Sequence, residues 1–111
     1  ISIAEGVRRS RDLWPARTVH VECDSLDQCV EALDAGADAI LLDNMSPAEV
    51  QACVAAAEVR QGGQVRRTLL EVSGEVTLET IGEYAGTGVD MISVGRLTKS
   101  AVALDIGLDL D

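Results

Sequence analysis

The stretch that most constrains what this chain can fold into runs from Val19 to Asn44, VHVECDSLDQCVEALDAGADAILLDN. It reads as strand, turn, helix, turn and second strand. Thr18 to Cys23 is rich in β-branched residues and too short for a helix. Asp24 or Ser25 can cap a helix in which Leu26, Cys29, Val30 and Leu33 share a face. Gly36 ends that helix at the usual left-handed position, and Ala39 to Leu42 is the continuous apolar run of a parallel strand buried on both faces. An acidic residue closes each strand, Glu22 the first and Asp43 the second. If the strands are parallel neighbours, both carboxylates point out of one edge of the sheet, where parallel α/β proteins place their chemistry.

The flanking sequence repeats this plan. Ile3, Val7 and Leu13, with Ala4 and Trp14, recur at helical spacing until Pro15 stops the helix. Arg8, Arg9 and Arg11 read as its solvated face and Trp14 as packing. Ser46 and Pro47 are an N-cap followed by proline at the first helical position, and the helix runs through Val50, Val54 and Ala57 to about Arg60. Gly62 and Gly63 open a loop before a third strand, Thr68 to Val72, which ends in Ser73 and Gly74. Thr77 starts a further helix with Leu78, Ile81 and Tyr84 on one face, closed by Gly86 or Gly88. Met91 to Val94 is the fourth strand, followed by Gly95. The tail ALDIGLDLD alternates with period two, as a half-exposed strand does. GADAILLDN from Gly36 and GVDMISVGR from Gly88 match at Gly36 and Gly88, Asp38 and Asp90, Ile40 and Ile92, and Leu42 and Val94. Each is the junction of a repeated βα unit.

With 111 residues the chain can bury a real core but is short for a complete α/β barrel, which needs about 250. No apolar run approaches a membrane span, and the first residues lack the pattern of a signal peptide, so a cytoplasmic location is expected. A net charge of −10 argues against nucleic acid or an anionic membrane as partner. It leaves room for a phosphorylated small molecule held by local dipoles, a metal ion and a few cations. Cys23, Cys29 and Cys53 have no metal-like spacing and read as reduced, buried small residues, with a reactive thiol as the alternative.

Candidate chemistry gathers at the strand ends. Ser73 with Gly74, and then Gly95, let backbone N–H groups approach a phosphate without a Cβ in the way. Glu22 and Asp43 can bind Mg²⁺ together with water and substrate oxygens, or accept hydrogen bonds from ribose hydroxyls. Capping is the competing role for acidic residues after strands, and it fits Asp24 better than Glu22. His20 points to the same side as Glu22 and, with no nucleophile in view, reads as structural. Arg96 and Lys99 can pair with a phosphate or favour a helix C-terminus.

At these residues the sequence resembles quinolinate phosphoribosyltransferase, also called nicotinate-nucleotide pyrophosphorylase (carboxylating). The blocks VECDSLDQCVEAL, AGADAILLDNMSPAEV, LLEVSGEVTLETI and YAGTGVDMISVGRLTKSAVALDIGL carry the resemblance, in family order and spacing. It implies the C-terminal part of an α/β enzyme, with parallel βα units forming part of a TIM-like, incomplete barrel over residues 1–111. It also implies transfer of phosphoribose from phosphoribosyl pyrophosphate to quinolinate with Mg²⁺. The products are nicotinate mononucleotide, carbon dioxide and pyrophosphate, in NAD synthesis. By position, Glu22 and Asp43 match the acidic pair that handles ribose hydroxyls and metal. Ser73, Gly74 and Gly95 match the phosphate loops, and Lys99 falls where many members have histidine.

Two departures accompany the resemblance. Glu75 replaces the second glycine of the family's SGG, and Arg96 stands where a small residue is common and could offset it. The family's N-terminal domain and first barrel strands, with the cations that grip the dicarboxylate, are expected to be absent. An open half-barrel exposes edges and apolar faces, so a homo-oligomer, docking to the missing portion, or poor solubility is expected. The alternatives are a molybdenum-transport-related protein of the same barrel type and a non-catalytic phosphate-binding or structural module.

Overall fold

The computed structural model describes residues 1–62, 68–74 and 76–93. The elements follow as α1 (Ile3–Leu13), β1 (His20–Cys23), α2 (Leu26–Asp34), β2 (Ala39–Asp43), α3 (Pro47–Gln61), β3 (Leu69–Ser73), α4 (Ile81–Ala85) and β4 (Met91–Ile92). The four strands form one sheet in chain order, every pairing parallel. The alternation of strand and helix is that of a segment of a TIM-like barrel. The expected end of the fourth strand at Val94, the Gly63 side of the loop after α3 and the period-two tail lie outside the described residues.

Local chemistry explains the helix boundaries. Ser25, rather than Asp24, caps α2 by accepting from the Gln28 N–H, and the Gln28 side chain accepts from the Asp24 N–H. Ser46 and Glu49 form a reciprocal capping box at the start of α3, with Pro47 at its first position. Gly36 turns out of α2 at φ 80° and Gly88 turns into β4 at φ 89°, as the repeat requires.

The repeat also carries the sheet. Asp38 donates its N–H to the Val19 carbonyl at 2.9 Å and accepts from the Val19 N–H through its carboxylate at 2.7 Å. Asp90 makes the same two-point clasp on Leu70, at 3.0 and 2.8 Å. Each aspartate therefore pins the start of its own strand one step ahead of the first paired residues, His20 with Ala39 and Glu71 with Met91.

This clasp corrects the reading of Arg11 as a solvated side chain. Its guanidinium donates to the Gly36 carbonyl and to Asp38 Oδ2, tying α1 to the turn that starts β2. Arg8 and Arg9 do stay on the solvated face, in pairs with Asp12 and Glu5. Such exposed pairs contribute little.

The core lies between the sheet and its helices. Cys23, Ile40, Leu42, Leu70 and Val72 from the strands meet Cys29, Ala32, Val50, Cys53 and Ala57 from α2 and α3. All three cysteines are buried free thiols, as the small-residue reading requires. Burial pushes the Cys23 thiol up to about 11, and the hydrogen bond between the Cys29 and Cys53 thiols, together with burial, raises Cys29. Neither thiol is poised as a nucleophile.

Four expectations fail for identifiable reasons. Leu13 and Trp14 remain 67% and 60% exposed, because only Val7 of α1 is fully buried and no described element covers the helix end. Strand β1 begins at His20 rather than Thr18, since the Val19 backbone is taken by the Asp38 clasp. Residue Thr77 does not start α4. Thr77 and Thr80 exchange side-chain and backbone hydrogen bonds in a turn before Ile81, which leaves Leu78 68% exposed. Hydroxyl groups that bond the local backbone compete with a helical start in this way. Similarly, β3 is shifted by one residue from Thr68–Val72 to Leu69–Ser73, and the buried Thr68 hydroxyl donates to Ala37 O at 2.8 Å.

The clasps make a stability prediction. Asp38→Ala and Asp90→Ala should each cost roughly 1–3 kcal/mol, the penalty for stranding a buried partner, whereas Arg8→Ala should stay within about 0.5 kcal/mol. Urea denaturation checks this, and equal losses for all three would contradict it.

Candidate functional site

Strand alternation divides the sheet into two chemically different faces. In-register parallel neighbours point the same way, so the pairings Glu22 with Leu41, Leu41 with Glu71, and Asp43 with Ser73 place these residues on one face. Their in-between neighbours, Cys23, Ile40, Leu42, Leu70 and Val72, are buried against α2 and α3 on the other. The site face, here the inner face, is half exposed along β2 and β3.

Glu22 and Asp43 do share this face, but they are not level. Glu22 pairs with Leu41, two residues short of Asp43, and Cys23 rather than Glu22 is the last residue of β1. Ideal spacings of about 3.3 Å per residue and 4.8 Å between strands put the two Cα atoms roughly 8 Å apart. The two carboxylates therefore leave the sheet at different heights on the same face. Glu22 is exposed, and Asp43 is half buried and accepts a long hydrogen bond of 3.4 Å from Ser73 Oγ. His20 is exposed below Glu22, with Thr18 Oγ1 at 3.2 Å from its Nε2, which fits a structural role.

Two features of the site escape a reading by motif. Glu71 stands on the inner face between Leu41 and Met91, and its carboxylate accepts from the Ser93 hydroxyl. Its phase with Ser73 in the run LLEVS was the available signal. Tyr84 is the second. Its hydroxyl donates to Met45 O at 2.7 Å, fastening α4 to the turn after Asp43. Burial first, then the Glu83 and Glu49 carboxylates, hold its phenol above the ordinary value, so it stays a donor.

Asn44 and Gly74 meet where the β2 and β3 turns touch. Gly74 has φ 111°, and a Cβ there would lie 2.6 Å from Asn44 Oδ1 and 3.1 Å from Asn44 N. The glycine thus serves a close approach of two turns as well as any ligand. Ser73 and Gly74 are where a phosphate loop was expected; Gly95, Lys99, Glu75 and Arg96 lie outside the described residues.

An oxygen-only pair such as Glu22 and Asp43 fits Mg²⁺, which is commonly held by one or two carboxylates with water and substrate phosphates completing the shell. Among the described residues no group of three or more His, Cys, Asp or Glu converges as a metal cage. No described helix is long and apolar enough to cross a membrane.

The family described as quinolinate phosphoribosyl transferase, C-terminal domain, matches residues 1–109. The chain belongs to this family. A nicotinate-nucleotide pyrophosphorylase (carboxylating) of Mycobacterium leprae is 41% identical over 109 residues, covering 98% of this chain and 37% of that protein. The protein of the same name from Homo sapiens is 40% identical over 92 residues, covering 83% of this chain and 30% of its own length. A crystal structure of nicotinate-nucleotide pyrophosphorylase from Ehrlichia chaffeensis aligns with a TM-score of 0.77 at 36% identity, over 89% of this chain and 34% of that one. This member of the quinolinate phosphoribosyl transferase C-terminal domain family thus spans roughly a third of the length of such relatives.

The Asn44–Gly74 approach is testable by stability. Gly74→Ala should cost about 2–4 kcal/mol, combining positive φ with a clash. Gly36→Ala, at φ 80° with nothing within 4 Å, should cost only about 1 kcal/mol. Equal losses in urea denaturation would mean that the two turns do not meet closely.

Proposed function

We propose that this chain carries the ribose-phosphate side of a site that transfers phosphoribose from phosphoribosyl pyrophosphate to quinolinate with decarboxylation. The product would be nicotinate mononucleotide, made for NAD synthesis in the cytoplasm. The observation that carries this reading is the family match over residues 1–109 in a chain whose inner face presents Glu22, Asp43 and Ser73.

The roles follow from the chemistry of each group. Glu22 and Asp43, set apart on adjacent strands, accept hydrogen bonds from ribose hydroxyls and would hold Mg²⁺ between them and the donor. The metal, when bound, supplies charge neutralisation for the pyrophosphate. Displacement at the anomeric carbon builds positive charge on the ribose ring, and preorganised carboxylates stabilise that charge better than reorganising water does. At the end of β3 the Gly74 backbone N–H and the Ser73 hydroxyl are the groups offered to the 5′-phosphate, since no Cβ at Gly74 blocks its approach.

Among the described residues the strands place no Lys or Arg on the inner face. The reading therefore requires cations from elsewhere for a polyanionic donor, with Lys99 and Arg96 the candidates in this chain. Strand β1 pairs on one side only among the described residues, so further barrel strands or a second copy of the chain would complete the sheet. The second reading is a non-catalytic phosphate-binding module, for which the Ser73–Gly74 turn at the end of β3 is the observation.

Calorimetric titration with phosphoribosyl pyrophosphate, with and without Mg²⁺, separates these readings. Metal-dependent binding that weakens by at least about tenfold in the Glu22→Gln, Asp43→Asn double variant is expected. Binding indifferent to metal and to both substitutions would favour the phosphate-binding module. No binding would contradict a ribose-phosphate subsite in this chain.

A further inference from the structure

Asn44 is the one non-glycine residue with positive φ among those described, at φ 54°. In this backbone state Cβ crowds the following carbonyl, and beyond glycine only Asn and Asp visit it readily. The residue directly follows Asp43, so its conformation sets how β2 leaves the sheet toward the cap of α3 at Ser46.

Three contacts hold the turn in that state. The Asn44 N–H donates to Ser73 O at 3.3 Å, the Met45 side chain is buried in the core, and Met45 O accepts from the Tyr84 hydroxyl. The carboxamide of Asn44 fills the space that a Cβ at Gly74 would need. Strained backbone persists only where the surroundings over-determine it, and such positions cluster at functional sites.

We propose that Asn44 is a positioning residue for Asp43: its left-handed backbone, clamped between Ser73 and Tyr84, holds the Asp43 carboxylate over the inner face for the ribose of a phosphoribosyl donor. The inference rests on the functional reading above and deepens it. Asn44 acts through Asp43, and no contact of its own with the ligand is required. Glycine accepts the same backbone freely and alanine only against a steric penalty, which separates backbone positioning from a carboxamide contact.

The test is calorimetric titration of Mg²⁺ and phosphoribosyl pyrophosphate into the unaltered chain and into Asn44→Ala, Asn44→Gly and Tyr84→Phe, well below their melting temperatures. Asn44→Ala should weaken binding by about tenfold, with Asn44→Gly recovering to within about threefold of the unaltered chain and Tyr84→Phe losing about threefold. A role in stability alone would lower melting temperatures and leave these affinities unmoved, which would overturn the proposal. Equal losses in Asn44→Ala and Asn44→Gly would also overturn it, by assigning the effect to the carboxamide. If Asn44→Ala does not fold, Tyr84→Phe decides, and an unchanged affinity there counts against the proposal. An unaltered chain that binds nothing overturns the functional reading instead, and the positioning role falls with it.

Discussion

The in-phase parallel register of the sheet is the constraint on which the rest of this structure depends. Strand side chains repeat every two residues, so a slip of one residue would exchange the two faces and turn Glu22, Asp43 and Glu71 into the core. The two-point clasps of Asp38 on Val19 and of Asp90 on Leu70 oppose such a slip at the start of β2 and β4. Arg11 reinforces the first of them from α1. These residues bear no chemistry, yet they decide which carboxylates face the site.

From that register follows a division of labour. One face is apolar and closed by α2 and α3, and no buried side-chain polar atom among the described residues lacks a partner. The other carries acidic and hydroxyl groups, Glu22 exposed and Asp43, Glu71 and Ser73 half buried, a costly arrangement in a core but one that suits the metal-bound, hydroxyl-bearing ligand proposed above. The turns after β2 and β3 then interlock through Asn44, Ser73 and Gly74, so the strand ends behave as one assembly rather than as two loops.

Much of this was legible in the residues themselves. Gly36 and Gly88, the Ser46 cap with Pro47, and the apolar run after Asp38 each have a local physical cause, and the structure retains all of them. The inner-face placement of Glu22 and Asp43 followed from alternation. What alternation could not supply was relative height: the offset between these two carboxylates depends on register, which long-range clasps set. Arg11 was misread for the same reason, its partner lying 27 residues away. Leu78 and Trp14 show the converse, where apolar spacing suggested burial and no covering element is described. Glu71 was visible in phase with Ser73 but carried no motif to draw attention to it.

A map of backbone amide chemical shifts, recorded while Mg²⁺ and phosphoribosyl pyrophosphate are added, reports on the inner face residue by residue. The account predicts shifts concentrated at Glu22, Asp43, Asn44, Ser73 and Gly74, the inner-face ends of β1 to β3, with Cys29 and Cys53 on the helix side unmoved. Shifts centred on α2 and α3, or spread evenly over the chain, would contradict it.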